Sequence, residues 1–145
     1  MKTLKRLIIL SLLSFLPMHY ALGGESIVVI VNAENTQTLT EQQIKNIYSD
    51  IVTHWENGNK IDVFNLAVEE DARETFSQKI FGESSRQLAA AEANRKITNT
   101  IKNPTKTKGA RLVAKLVSKN PNAIGYVPLS MAKDLANVRI VVQFD

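Results

Sequence analysis

Asn120-Pro-Asn-Ala-Ile-Gly-Tyr-Val127 is the stretch on which the reading of this chain turns. Pro121 has no backbone N–H to continue a helix, so a helix arriving from upstream ends there. Ala123-Ile-Gly-Tyr-Val127 then reads as a short apolar strand, and its Gly125 marks a close approach by a neighbouring element. Upstream, residues 108–119 place Leu112, Val113, Leu116 and Val117 on one side of a helix, with Lys108, Arg111, Lys115 and Lys119 along the other. Downstream, a short helix over residues 129–135 leads to a final strand, Val138-Arg-Ile-Val-Val-Gln143.

The same alternation extends to the front of the chain. Ser26-Ile-Val-Val-Ile-Val31 is apolar on both alternating faces, which predicts a buried strand covered by helices on both sides. Thr40 with Gln43 forms a capping box, Leu39 can staple onto Ile44, and Ile44, Ile47, Tyr48 and Ile51 follow at helical spacing. Asn57-Gly58 signals a tight turn into a second strand, Lys60-Ile-Asp-Val-Phe-Asn65, with Trp55 packed beside it. Glu69, Glu70 and Asp71 open the next helix, where carboxylates suit the positive end of the dipole; Ala72, Phe76 and Ile80 continue inward until Gly82 stops it. Ser84 with Gln87 caps another, whose inward residues are Leu88, Ala91, Ile97 and, at its end, Ile101 before Pro104. Strands and helices in alternation imply an α/β domain, a sheet flanked by helices.

Composition narrows the class. Lys2, Lys5 and Arg6 precede an apolar run from Leu7 to Leu16, and Ala21-Leu22-Gly23 supplies small residues before a cut, the layout of a secretory signal peptide over residues 1–23. That run is about half of the roughly 20 residues a membrane span requires, so no stable membrane anchor is expected, and the product is periplasmic or secreted. The chain contains no cysteine, so the domain over residues 24–145 must be held by its core. Within it, residues 24–94 carry 12 acidic and 5 basic side chains, whereas residues 95–145 carry 2 and 10. The overall charge is therefore near neutral, but its distribution is strongly dipolar.

Four stretches together resemble the phosphate-binding component of bacterial ABC importers, and more closely its short single-domain relatives. They are Ile27 to Asn32 with Leu39-Thr-Glu-Gln-Gln-Ile44; Ile47-Tyr48 with Trp55-Glu-Asn-Gly58 and Ile61; Ala72-Arg73-Glu-Thr-Phe76 with Phe81-Gly82; and Asn120 to Val127. The resemblance implies a single lobe of the type II periplasmic binding protein-like fold, a mixed sheet flanked by helices, and a non-enzymatic role in solute recognition for transport or sensing. In those relatives a Ser-Gly-Thr run before the matching arginine holds the anion at a helix N-terminus. Here Glu70, Asp71 and Ala72 stand in that place, and only Arg73 matches. Two carboxylates within about 4 to 6 Å of a dianion repel it by more than a helix dipole of about 0.5 to 1 kcal/mol offsets.

Candidate ligand residues are accordingly Thr38 and Thr40 in the loop after the first strand, Arg73, and Tyr126, which is first of all a core residue. Loop 32–40, the helix start at residues 70–73 and the end of the Gly125-Tyr126 strand are expected to form one wall, facing a small oxyanion. The competing expectation is a ligand-free module that docks an acidic envelope or transporter protein through Lys108, Arg111, Lys115 and Lys119. His54 is the only histidine of residues 24–145, so a zinc site of ordinary ligand type lacks its groups, and a Ser-His-Asp triad would have to be built on His54, which beside Trp55 in a turn region reads as a surface or packing residue. The carboxylates at Glu69, Glu70, Asp71 and Glu74 lack calcium-loop spacing, and no glycine-rich phosphate loop is present. No cofactor, metal or nucleic acid is implied.

Overall fold

The computed structural model describes residues 24–145; the expected signal peptide, residues 1–23, lies outside the described residues. The elements run β1 (Ile27–Asn32), α1 (Glu41–Tyr48), β2 (Asp62–Asn65), α2 (Asp71–Phe81), α3 (Ser85–Ile97), β3 (Lys106–Thr107), α4 (Ala110–Lys119), β4 (Ala123–Pro128), a 3-10 turn (Leu129–Met131) and β5 (Val138–Phe144). The strands form one mixed sheet in the order β3-β2-β4-β1-β5. β2 pairs parallel with both β3 and β4, while β1 runs antiparallel to β4 and β5. This is the α/β architecture expected of the sequence, and among the described residues no helix is long and apolar enough to cross a membrane.

The centre of the sheet is the centre of the core. Every residue of β1 is buried, and so are Ala123 to Val127 of β4, which lie beside it. Successive side chains of a strand point to opposite faces, and the two faces of β4 meet different helices. A Cβ built on Gly125 would lie 2.4 Å from Val113 Cγ1 and 3.5 Å from Val117 Cγ2, so α4 covers one face. Tyr126 stacks on Phe76 with ring centres 3.8 Å apart, so α2 covers the other. Both helices reach β1 as well, which accounts for a strand with no solvent-facing side.

Local signals formed as read. Thr40 and Ser84 each make a complete capping box with the glutamine three residues on, and Gly82 ends α2 in the left-handed conformation at φ 70°. Trp55 is buried, and its Nε1 donates to the Asn122 carbonyl at 3.0 Å.

The differences lie where burial depends on distant partners. α1 stops at Tyr48, and Asp50 turns the chain with φ 65°, so Ile51 is 68% exposed. Ser85 is the only buried residue of α3, and Ile97 at its end is 84% exposed, because this helix packs on α2 at the periphery of the sheet. The inward face of α4 is Ala110, Val113, Ala114 and Val117; Leu112 points out at 45% exposure. β2 begins at Asp62 rather than Lys60, and β3 is an additional two-residue strand, tied to β2 by the Lys106–Asp62 ion pair.

Candidate functional site

β2 and β4 run parallel and finish side by side, and the candidate site is built where they end. Asn65, the last residue of β2, accepts the Tyr126 hydroxyl proton on Oδ1. The Leu66 backbone N–H donates to the same Asn65 oxygen at 3.1 Å and to the Tyr126 hydroxyl at 3.3 Å. One helix over, the Tyr48 hydroxyl donates to the Phe64 carbonyl at 2.9 Å. Tyr48, Phe76 and Tyr126 pack ring against ring, with centroids 3.8 to 5.8 Å apart. Burial pushes the hydroxyl pKa of both tyrosines well above its ordinary value, so each remains a neutral donor at physiological pH.

Arg73 belongs to this cluster. It sits on the first turn of α2, is only 5% exposed, and donates from Nη1 to the Leu66 carbonyl at 2.6 Å. The ion pairs among the described residues are Lys96–Glu92 and Lys106–Asp62, so this guanidinium faces a carbonyl rather than a carboxylate. A charged group taken out of water without a counter-charge carries a penalty of several kcal/mol, which a bound anion would relieve.

A cavity of about 270 Å³ opens beside Arg73, between α1, α2, α3 and the end of β2. Its polar lining includes Lys45, Asn65, Arg73, Ser77 and Arg95, with Glu83 and Glu92 among the acidic groups. Tyr48, Phe76, Phe81, Leu88 and Ala91 supply its apolar walls. Ser77 is 1% exposed, and its Oγ and the Nε of Arg95 are the two buried side-chain polar atoms without a hydrogen-bond partner among the described residues. Buried polar atoms are nearly always paired, so two orphans on residues that line one cavity, Ser77 from α2 and Arg95 from α3, are a specific feature of it.

Of the ligand residues expected from sequence, Arg73 and Tyr126 come together here, and Thr38 and Thr40 do not. The reason is the direction of β1. Ile27 lies beside Pro128, Val31 beside Ile124 and Asp62 beside Ala123, so β1 ends where β2 and β4 begin. The loop after β1 is consequently held at the far end of the sheet, where Arg139 donates to the carbonyls of Asn35 and Gln37. Thr38 is exposed, and the Thr40 hydroxyl is engaged with Gln43 in the capping box. Ser77, Arg95 and Lys45 were not singled out in the sequence; their shared wall joins three helices, and no short motif carries that information.

The start of α2 is acidic, as the sequence indicates. Glu25, Glu69, Glu70 and Asp71 line a shallow concavity beside Ile27 and Pro128, and Glu70 at the helix cap makes no capping bond through its side chain. Lys108, Arg111, Lys115 and Lys119 are all exposed, and none belongs to either ion pair among the described residues.

Comparison with known proteins fits this architecture. The model of the PBP superfamily domain matches residues 17–142. The chain belongs to that family. Its fold is similar to that of a protein from Clostridium perfringens assigned as a phosphate ABC transporter substrate-binding protein and solved with bound phosphate, at 22% identity and a TM-score of 0.61. It is also similar to an ABC-type phosphate transport receptor from Vibrio cholerae, at 19% identity and a TM-score of 0.60. Both alignments cover 81% of this chain but 44% and 46% of those chains, so this PBP-domain chain spans less than half the length of either. No curated protein matches it.

Proposed function

We propose that this PBP-domain protein is a non-enzymatic solute-binding module of the cell envelope, periplasmic or secreted after cleavage of its leader, that recognises a small oxyanion-bearing solute. In this reading it acts in, or as an accessory to, a transport or sensing system. The observation that carries the proposal is Arg73: a buried guanidinium, paired with a carbonyl only, on the wall of a cavity that also holds Arg95 and Ser77. Arginine presents paired N–H groups that match the two oxygens of an oxyanion, and burial strengthens the attraction. Phosphate bound to the Clostridium perfringens protein supports the choice of an oxyanion. The acidic start of α2 argues for Arg73 and its cavity, rather than the helix N-terminus, as the place where the anion is held.

Titration calorimetry of the purified protein against inorganic phosphate, sulfate and simple carboxylates tests this. Saturable binding of at least one of them is expected with a Kd below about 100 μM, near −5.5 kcal/mol. Arg73→Met should weaken it at least tenfold, about 1.4 kcal/mol. Flat titrations across the panel would refute the proposal.

A second reading is favoured by α4. Its cations Arg111, Lys115 and Lys119, with Lys108 just before it, form an exposed stripe without an ion pair among the described residues, and Leu112, 45% exposed, lies among them. A basic face with an apolar residue within it suits docking to an acidic envelope or transporter protein.

A further inference from the structure

The chemistry of the Arg73 cavity restricts what it can hold more narrowly than the word oxyanion does. Its volume is about 270 Å³. A tetrahedral inorganic oxyanion has five heavy atoms and would leave much of that space unfilled, forfeiting contact with the walls. Tyr48, Phe76, Phe81 and Leu88 give the lining aromatic and aliphatic surface, and the cationic groups and the Ser77 hydroxyl belong to the same lining. An apolar pocket with a few convergent polar groups suits an organic molecule with one polar end.

The charge of the lining calls for an anionic end on that molecule. Lys45, Arg73 and Arg95 line the cavity together with Glu83 and Glu92, a net formal charge of +1. Glu92 is itself anchored, accepting from Thr105 Oγ1 at 2.9 Å and pairing with Lys96 at 3.0 Å, so its charge is offset by a cation of its own helix. A carboxylate supplies the negative charge that this cationic lining attracts.

We infer that this cavity takes a small organic monocarboxylate, its carboxylate held by Arg73, Arg95 and Ser77 and its apolar body against Tyr48, Phe76 and Leu88. The inference rests on the proposal that the cavity binds an oxyanion, and it names the class. Ser77 Oγ and Arg95 Nε, the two orphaned donors, become partners of the carboxylate oxygens.

Benzoate, with nine heavy atoms, is the probe, and inorganic phosphate the comparison, both titrated calorimetrically into the purified protein. Benzoate is expected to bind at least tenfold more tightly than phosphate. Ser77→Ala should cut benzoate affinity several-fold while the melting temperature of the unliganded protein holds or rises, since an unpaired buried hydroxyl has been removed. Ala91→Phe, which places a ring in the cavity and leaves every charged side chain in the sequence, should abolish benzoate binding. Phosphate binding as tight as benzoate, or benzoate binding indifferent to both substitutions, overturns the monocarboxylate assignment and leaves the oxyanion proposal standing. No binding of either probe removes the monocarboxylate assignment, and flat titrations with sulfate and simple carboxylates as well remove both.

Discussion

Tyr126 shows how one side chain can be placed correctly by sequence and still withhold its role. The pattern Ala123-Ile-Gly-Tyr-Val127 marks it as a core residue, and it is fully buried. Its hydroxyl contacts lie at Asn65 and Leu66, some 60 positions away, and a spacing of that length carries no readable signal. Arg73 was legible for the opposite reason, because it sits in a local word at a helix start. Tyr126 and Tyr48 also make the fold sensitive to alkali. Both have pKa values raised by burial above the roughly 10 of an unfolded tyrosine. Below pH 10 both states hold the proton and the stability is fully present; above it the unfolded chain releases the proton first, so stability falls as pH rises. The slope approaches about 1.4 kcal/mol per pH unit for each tyrosine. Urea unfolding between pH 9 and 11 is expected to show this loss, and Tyr48→Phe with Tyr126→Phe should flatten it; an unchanged slope in the double variant would assign the alkaline sensitivity to other groups.

Secondary structure was readable wherever its cause was local, and the packing of each element was readable only where both partners were local too. The capping boxes at Thr40 and Ser84 depend on residues three apart, and both formed. The exposure of Ile51, Ile97 and Leu112 depends on which neighbour covers each face, which periodicity alone leaves open. The direction of β1 was equally hidden, since an all-apolar strand reads the same both ways; that single ambiguity joined Thr38 and Thr40 to a wall they do not share. Gly125 was the exception, a long-range contact announced by a missing side chain. Gly125→Ala would drive a methyl group into Val113, a stiff β-branched residue with Val117 and Phe64 close by. The expected loss is about 1 to 3 kcal/mol by denaturant unfolding. Val113→Ala in the same chain should recover part of it, a non-additivity that marks direct contact. Additive effects of the two substitutions would mean that α4 and β4 do not meet there.

The charge asymmetry along the chain becomes, in the folded molecule, one strongly basic helix face on a protein of small net charge. Residues 24–145 carry 15 basic and 14 acidic side chains, so bulk electrophoretic behaviour should be that of a nearly neutral protein. The exposed stripe of Lys108, Arg111, Lys115 and Lys119 is nevertheless free of ion pairs among the described residues, and over the Debye length of about 8 Å at physiological salt an approaching surface senses that stripe rather than the total. A protein of residues 24–145 should therefore be retained on a sulfonate cation exchanger at pH 7 and elute as salt rises. Lys108→Glu with Lys115→Glu should abolish retention, whereas Lys102→Glu with Lys133→Glu, the same change in net charge placed elsewhere, should lower it only modestly. If the two double variants elute together, total charge governs the interaction and the helix face offers no docking surface for an acidic partner. If they separate, α4 has the local field such a partner needs, and the same pair of variants then tests any candidate partner in binding assays run across a salt series.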